Sequence, residues 1–432
     1  MTKLLLDDCF LHDGDRLRHG EALAILRARV SPIADSVMVP VWDASGRILA
    51  QPVTALLPVP PHTNAAVDGY AFAASEHDAG SGAELLVAGR AAAGHPHAGP
   101  VGKGTAVRIF TGAVMPAGTD TVVMQEDVEL DDGGPDGTHR VRIPKGLGAH
   151  ANTRKAGEDV RAGDPLFAAG HSLRPQDLAA LASIGLAEVA CYDRLKVAIV
   201  SSGDEVVRAG AGPIMPGQVY DANAPMLGAL VATSGARCND LGVLPDNPQR
   251  IGERLLEAAA CHHVIVTSGG ASRGEEDHLV AALDRLGKRH LWQLAIKPGR
   301  SMSFGQIGDC VVVGLPGNPV AACVGFLMYV WPMLRRLGGA AWPEPRRLRL
   351  KAAFDVTGRK RGRREFWRGR YVTEPGGGLA VAKFERDGSG LISSLRAADG
   401  LIDIPEDAGD VRAGDEVAFI PFSQFGIVGS AV

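Results

Sequence analysis

Six cysteines in 432 residues, at positions 9, 191, 238, 261, 310 and 323, show no CxxC spacing, and several lie inside apolar runs. That excludes a disulfide framework and reads as small core residues in a reducing, cytoplasmic compartment. Thirteen histidines form no HxxxH and no Cys/His cluster; HisProHis at 95–97 and the adjacent His262 and His263 come nearest, so no zinc motif is present. A charge excess is missing too. Lys and Arg number 45 against 49 Asp and Glu, so the overall balance does not suit nucleic acid or an anionic membrane, and any anion specificity must be local. The opening MTKLLLDDCFLHDGD has an apolar run too short and too quickly acidic for a signal peptide, and no second domain is expected before it. No repeat or low-complexity tract appears. The stretch between Asp309 and Arg335 has no charged residue, and ProGlyAsnPro at 316–319 divides it. The remaining helix, 319–334, falls short of the roughly 20 residues a membrane span needs, so it is expected to be a buried core helix.

What is present is ordinary for a folded chain, 46% apolar and 22% charged residues, and the length calls for two to four domains. Leu17, Leu23, Ile25, Leu26 and Val30 mark an amphipathic helix over 16–30 that Ser31 and Pro32 stop. After a proline-punctuated segment at 51–72, short alternating strands with glycine turns run to about 144 (LLVAGRA, TAVRIFTGAVMP, TDTVVMQEDVEL, HRVRIP), a small β domain. A helix over 174–183 follows. The two helices flank this insertion, and the expectation is one elongated domain split between 1–51 and 145–190, with the inserted β domain at 52–144. From 191 to 337 strands alternate with helices, an α/β domain with a parallel-rich sheet. From 338 to 432 strands dominate again (RRLRLKAAFDV, EFWRGRYV, GLAVAKFER, GDEVAFIPF), a C-terminal β domain.

The α/β domain is organised around 261–334. Two apolar runs, Val264 to Thr267 and Val311 to Gly314, each end in a glycine-rich turn that opens a helix. The first turn, Ser268, Gly269 and Gly270, offers backbone N–H groups to an anion. Asp277 follows in the first turn of a helix whose Leu279, Val280, Leu283 and Leu286 mark the buried face. A carboxylate beside an anion nest repels phosphate unless a cation bridges them, so the pair points to phosphate plus Mg²⁺. Lys297 and Arg300 in IKPGR add positive charge in a tight turn. LPGNP supplies a helix start with Asn318 as N-cap and Pro319 at the first helical position. Glu205, after the strand Lys196 to Val200, is expected at the same carboxyl edge, where open α/β sheets bind ligands. Asp68, in AspGlyTyr, is a third carboxylate for Mg²⁺ or for use as a base. Taken singly, each of these is also what a turn, a helix end or a solvated charge looks like. ArgLysArgGlyArgArg at 359–364 puts five cations in six residues. It lacks the interleaved aromatics of a nucleic-acid patch and reads as a solvated hairpin, with one arginine available to point at an anionic substrate.

NAAVDGYA at 64–71, RIFTGAVMPAGTDTVVMQE at 108–126, AGEDV at 156–160, SSGDEV, SGGASRGEEDH, LAIKPGR, FG at 304, LPGNPVA and GRREFWRG at 362–369 resemble, in order and over nearly the whole chain, the motifs of the molybdopterin molybdenumtransferase (MoeA) family. The chain is thereby similar to the C-terminal domain of gephyrin as well. The resemblance implies a central molybdopterin-binding, MogA-like α/β domain. It also implies insertion of molybdenum from molybdate into adenylylated molybdopterin with Mg²⁺-dependent release of AMP. The expected assembly is a homodimer with a shared cleft, the expected partners are a molybdopterin-adenylylating enzyme upstream and acceptor molybdoenzymes downstream, and neither nucleic acid nor membrane is implied. The competing readings are a gephyrin-like scaffold and a molybdopterin adenylyltransferase.

On that resemblance Glu205, Asp277 and Asp68 are the metal ligands, and with Lys297 and Arg300 the catalytic set. Thr111, Asp159, Ser268, Gly269, Gly270, Ser272, Pro316, Asn318, Arg363, Arg368 and Ser394 are expected at the substrate, with Ser393 an alternative hydroxyl for molybdate. Val67, Arg273, His278, Arg300 and Ser301 depart from the commonest family wording, which leaves open a different anion preference.

Overall fold

The computed structural model describes residues 16–131, 138–269 and 278–428. Its centre is a six-stranded sheet. In chain order the strands are β1 (Lys196–Ser202), β2 (Arg237–Leu244), β3 (Val264–Ser268), β4 (Lys288–Gln293), β5 (Ser301–Ile307) and β6 (Cys310–Leu315). Their spatial order is β2-β1-β3-β6-β5-β4. β1 runs parallel to β2 and β3, and β3 parallel to β6 in the register Val264↔Val311, as the two apolar runs predict. Such strands are apolar throughout because both faces are covered. β4 and β5 add an antiparallel edge, so the crossover from β3 to β6 is a helix plus a hairpin rather than a helix alone. The chain leaves β1 toward β2 on one side and returns to β3 on the other. This makes the β1/β3 crevice the switch point where such sheets bind ligands.

Helix Asn223–Thr233 starts and stops where the sequence places it. Helix Pro248–Cys261 is capped by Asn247, whose side chain accepts from the N–H groups of Gln249 and Arg250. The uncharged stretch becomes one continuous helical run from Pro319 to Leu337 with a π turn at Phe326–Val330. It is long and apolar enough to cross a membrane, but 89% of it is buried inside the protein, which makes it a core helix.

The insertion forms its own six-stranded sheet, including a strand Gly69–Phe72 that the proline-bounded loop hid. Around it, Ser36–Pro40 pairs with Glu188–Tyr192, and Val39, Leu49, Leu173, Leu181 and Val189 share a core drawn from both sides of the insertion. Helix His19–Arg29 does not join that core. Its Ala22, Leu26 and Val30 pack in the largest cluster, with Leu195, Tyr329 and Phe366. Apolar spacing identified its buried face but not the element that face meets.

The C-terminal strands are β7 (Leu348–Ala352), β8 (Arg364–Thr373), β9 (Leu379–Lys383), β10 (Gly400–Ile404) and β11 (Glu416–Pro421). They close into a ring, because β8 pairs with both β9 and β10, β9 with β7, β7 with β11 and β11 with β10. The GLIDI strand, β10, carries no alternating pattern because all five of its residues are buried. Its Asp403 is fully buried. It accepts from Arg364 Nε at 2.6 Å and Arg347 Nε at 2.7 Å.

Burial pushes the Asp403 carboxyl up, but the hydrogen bond and charge of Arg364, with Arg347, outweigh this and hold it below the usual range. Such a group stabilises the fold above its unfolded pKa of about 3.9, and the contribution disappears as pH falls through the lower folded value. Asp403→Asn leaves Arg347 without its counter-charge and Arg364 with only Glu406, at 3.3 Å, and is expected to cost about 3–5 kcal/mol near neutral pH. In urea titrations across pH, the gap between wild type and variant should close below about pH 3.9. A gap independent of pH would show that the carboxylate charge is not what holds the two arginines.

Candidate functional site

Two regions carry the expected residues. The first is the carboxyl edge of the central sheet. Glu205 follows β1, is exposed, and curls back over Gly203, whose φ of +131° leaves no room for a side chain there. Beside it the Asp204 N–H donates to the Asp246 carboxylate at 3.2 Å, and the Asp246 N–H returns a bond to Asp204 at 3.0 Å. Three carboxylates thus stand at the ends of β1 and β2, two of them not anticipated from sequence. Asp246 sits in AspAsnPro, where it reads as a helix-start residue. The order of the strands is what brings it to Asp204.

Ser268 ends β3, and its Oγ accepts from Asn223 Nδ2 at 2.7 Å. The same Asn223 group reaches the Gly317 carbonyl at 2.6 Å. Asn223, buried at the start of its helix, therefore ties the β3 turn to the LPGNP turn, and among the described residues its buried Oδ1 has no partner. Gly269, at φ +101°, gives its N–H to the Leu315 carbonyl at 3.0 Å. That donor is not free for an anion, which corrects its expected part in the nest. Gly270, Ser272 and Asp277 lie outside the described residues. Among the described residues, no group of three or more His, Cys, Asp or Glu side chains converges as a metal cage.

The second region is where the α/β domain meets the C-terminal ring. Ile296–Lys297 forms a short strand parallel to the start of β8, with Lys297 opposite Glu365. Lys297 is not a solvated charge: its Nζ lies 3.8 Å from Glu365 and 3.6 Å from Asp387. Glu365 is buried, accepts Trp367 Nε1 at 2.9 Å and Arg363 Nε at 3.2 Å, and has Arg359 Nε at 3.8 Å. Asp387 is bonded to Lys383 at 2.6 Å. Burial pushes its carboxyl up, and Lys383, Lys297 and Arg368 more than compensate, holding it below the usual range. Five cations (Lys297, Arg359, Arg363, Arg368, Lys383) thus surround two carboxylates, a surplus of three positive charges. Lys297 and Arg363 remain about a third exposed.

The basic run at 359–364 is not a solvated hairpin. Arg359, with its side chain 1% exposed, donates to the carbonyls of Arg363, Pro405 and Ala408, and Arg364 is spent on Asp403. Arg368 is buried. Its Nε donates to Ser394 Oγ at 3.0 Å, and Ser394, fully buried, donates onward to the Leu391 carbonyl. The Ser394 hydroxyl is therefore committed internally, whereas Ser393 is exposed. Burial lowers the Arg368 pKa. Arg368 also lines a pocket of about 470 Å³ with Arg370, Lys383 and Glu385. Arg300 is exposed at the turn after Lys297.

Pro316 and Asn318 open the core helix, but Asn318 makes no side-chain capping bond. The Val320 N–H there is taken by the Ser389 carbonyl of the C-terminal ring at 3.0 Å. Loops 297–300, 316–319 and 387–390 therefore share one junction.

Asp68 stands apart, on the insertion. Its Oδ1 accepts both the N–H and the hydroxyl of Thr111 at 2.7 Å, and these bonds hold its carboxyl below the usual range. Thr111 is thus a positioner of Asp68 rather than an open donor. Arg108 stacks on Tyr70 and Phe110 beside them. Among the described residues, no hydrogen bond or ion pair links Asp68 or Thr111 to the central domain. Asp159 is exposed, its N–H donating to the Val59 carbonyl at 3.1 Å.

Asn223→Ala removes the bonds to Ser268 and Gly317 and is expected to cost about 1–3 kcal/mol, since both acceptors lie in a largely buried junction. Urea titration followed by tryptophan fluorescence measures it. A midpoint equal to that of wild type would show that the two turns are held without Asn223.

Three family profiles match in succession: "MoeA N-terminal region (domain I and II)" at 17–185, "Probable molybdopterin binding domain" at 198–336 and "MoeA C-terminal region (domain IV)" at 349–422. A molybdopterin molybdenumtransferase of Haemophilus influenzae is 38% identical over 88% of this chain and 93% of its own length. Molybdopterin molybdenumtransferase 2 of Mycobacterium tuberculosis is 33% identical over 88% and 94%. The crystal structure of a molybdopterin biosynthesis MoeA protein from Pyrococcus horikoshii superposes with a TM-score of 0.79 at 28% identity, covering 94% of this chain and all of that one.

Proposed function

The chain belongs to the MoeA family of molybdopterin molybdenumtransferases, and on that premise we propose that it inserts molybdenum from molybdate into adenylylated molybdopterin, with Mg²⁺-dependent release of AMP. It is a transferase of molybdenum cofactor biosynthesis. The observation that carries the finer reading is the positive surplus at the junction of IKPGR with the C-terminal ring. Molybdate is a tetrahedral dianion with only oxygen acceptors, and guanidinium and ammonium groups receive such oxyanions through charge-assisted hydrogen bonds.

Within this reading Lys297 and Arg363, the partly exposed cations, bind molybdate. The buried Glu365 holds both in place and keeps them from folding away into solvent. Arg368, Lys383 and Ser394 shape the wall behind them. The edge at β1 and β3 takes the nucleotide end of the substrate, with Asn223 fixing the two turns that border it. The donor set there fits Mg²⁺, which uses one or two carboxylates and completes its shell with water and substrate phosphate. Glu205, with Asp246 and Asp277, would hold it. When bound it neutralises charge on the phosphoanhydride oxygens.

The working assembly in this proposal is a cytoplasmic homodimer. Exposed Met38 and Trp42 on the split domain, with exposed Leu56 and Leu57 just after its first segment, support an apolar interface there. The separation of Asp68 from the other carboxylates supports a cleft completed by the partner subunit.

Release of AMP from adenylylated molybdopterin, with and without molybdate, tests the reaction. Lys297→Ala and Arg363→Ala should each raise the molybdate concentration needed for half-maximal AMP release more than they weaken nucleotide binding. Each lost charged hydrogen bond is worth on the order of 1.5–3 kcal/mol. An unchanged molybdate requirement in both variants would remove these residues from the oxyanion site.

Asp68 is expected to act in trans. Asp68→Asn and Glu205→Gln subunits, each inactive alone, should regain about a quarter of wild-type activity when dimers exchange, because roughly half become heterodimers with one intact cleft. No recovery despite demonstrated heterodimers would mean that each cleft is built within a single chain.

A further inference from the structure

The side chains beside Asp68 form a row that the roles given so far leave unused. In the sheet of the insertion, Arg90 on strand Ala83–Ala91 stands directly opposite Arg108 on strand Thr105–Ile109, and Arg108 stands opposite Tyr70 on strand Gly69–Phe72. Residues in register share a face, so the two arginines are side by side. Both meet one ring: Arg90 lies 4.7 Å and Arg108 4.8 Å from the centre of Phe110, and Arg108 lies 5.0 Å from that of Tyr70.

Like charges opposite each other in a sheet are destabilising, and the ring faces offset only part of that. The carboxylates around them are engaged elsewhere. Asp68 accepts from Thr111 and feels the charge of Arg108 at a distance, and Glu126 accepts from Gln125 Nε2 at 3.0 Å. Arg108, half-buried, donates to the Gly69 carbonyl at 3.0 Å and to the Gln125 side-chain oxygen, both neutral. Arg90 is exposed, and among the described residues it has neither a hydrogen-bond partner nor an ion pair, so its five N–H donors are open to a ligand. The Gln125 N–H donates to the Asp68 carbonyl at 3.1 Å, and Thr111 directly follows Phe110. The pair and Asp68 are therefore one group, and a ligand that reaches Asp68 reaches the guanidiniums.

We propose that Arg90 and Arg108 bind the phosphoanhydride oxygens of adenylylated molybdopterin in the cleft that Asp68 completes. Neighbouring strands set the two residues about 4.8 Å apart, a spacing at which two planar guanidinium forks can take oxygens of adjacent phosphoryl groups. The inference rests on the reading above that this cleft belongs to the partner subunit.

Steady-state AMP release by the full-length dimer tests it. Arg90→Gln should raise the KM for adenylylated molybdopterin about tenfold or more, as loss of a charge-assisted hydrogen bond does, and leave the half-saturating molybdate concentration unchanged. Arg90→Lys, which keeps the charge, should recover part of the loss. An unchanged KM in Arg90→Gln, or Arg90→Lys no better than Arg90→Gln, overturns the proposal. Subunit mixing separates the pair from its premise. In the heterodimer of Asp68→Asn with Glu205→Gln, the one intact cleft takes its Asp68 from the Glu205→Gln subunit. Arg90→Gln added to that subunit should raise the KM of the recovered activity, whereas the same change on the Asp68→Asn subunit should not. Equal KM values in the two arrangements would overturn the placement of Arg90 beside Asp68 in that cleft. A raised KM in Arg90→Gln homodimers with no recovery in the mixed dimers would support phosphate binding by the pair and sink only the assignment of the cleft to the partner.

Discussion

The pairing of Ile296–Lys297 with the first residues of β8 is the contact on which the rest of the site depends. It lends two residues of the α/β domain to the sheet of another domain and sets Lys297 beside Glu365. The Arg364 N–H donates to the Ala295 carbonyl at 2.8 Å, and Leu17 bridges to Gln293 and Ala295 from the other side, so the strand is gripped at both edges. Hydrogen bonds of this kind contribute only about 1 kcal/mol each, but an unmade one inside such a junction costs more, which fixes the register. A slip by one residue would turn Lys297 away from Glu365.

Charge follows from that register. Glu365 and Asp387 neutralise enough of the surrounding cations to let them gather at a partly buried junction, and leave a positive excess that an oxyanion substrate would offset. A fully neutral cluster would fold as well and bind nothing. By contrast, Asp403 with Arg364 and Arg347 is closed on itself and serves the fold. Both sets draw on the same basic run, 359–364, and burial separates the structural arginines (Arg359, Arg364) from the available one (Arg363).

The parallel pair β3/β6, the helix at Asn223, the core helix after Pro319 and the strand-rich character of the two β domains were all legible, because period and punctuation are local properties of the chain. So were Glu205 and Ser268, since a residue directly after a strand must lie at the sheet's end. Asp246, Asn223, Glu365 and Asp387 were not singled out. Each is an ordinary turn, helix-start or strand residue in its own window, and its role comes from residues 42 to 94 positions away.

By itself the sequence determined the elements, their approximate grouping, and through its ordered motifs the family. Those depend on side-chain spacing and on short stretches of backbone. The tertiary structure alone decided which carboxylate meets which cation, which arginines are spent on the fold, and that the first helix packs on the central core rather than the split domain. Burial and pairing are properties of two surfaces brought together, and no single segment contains both.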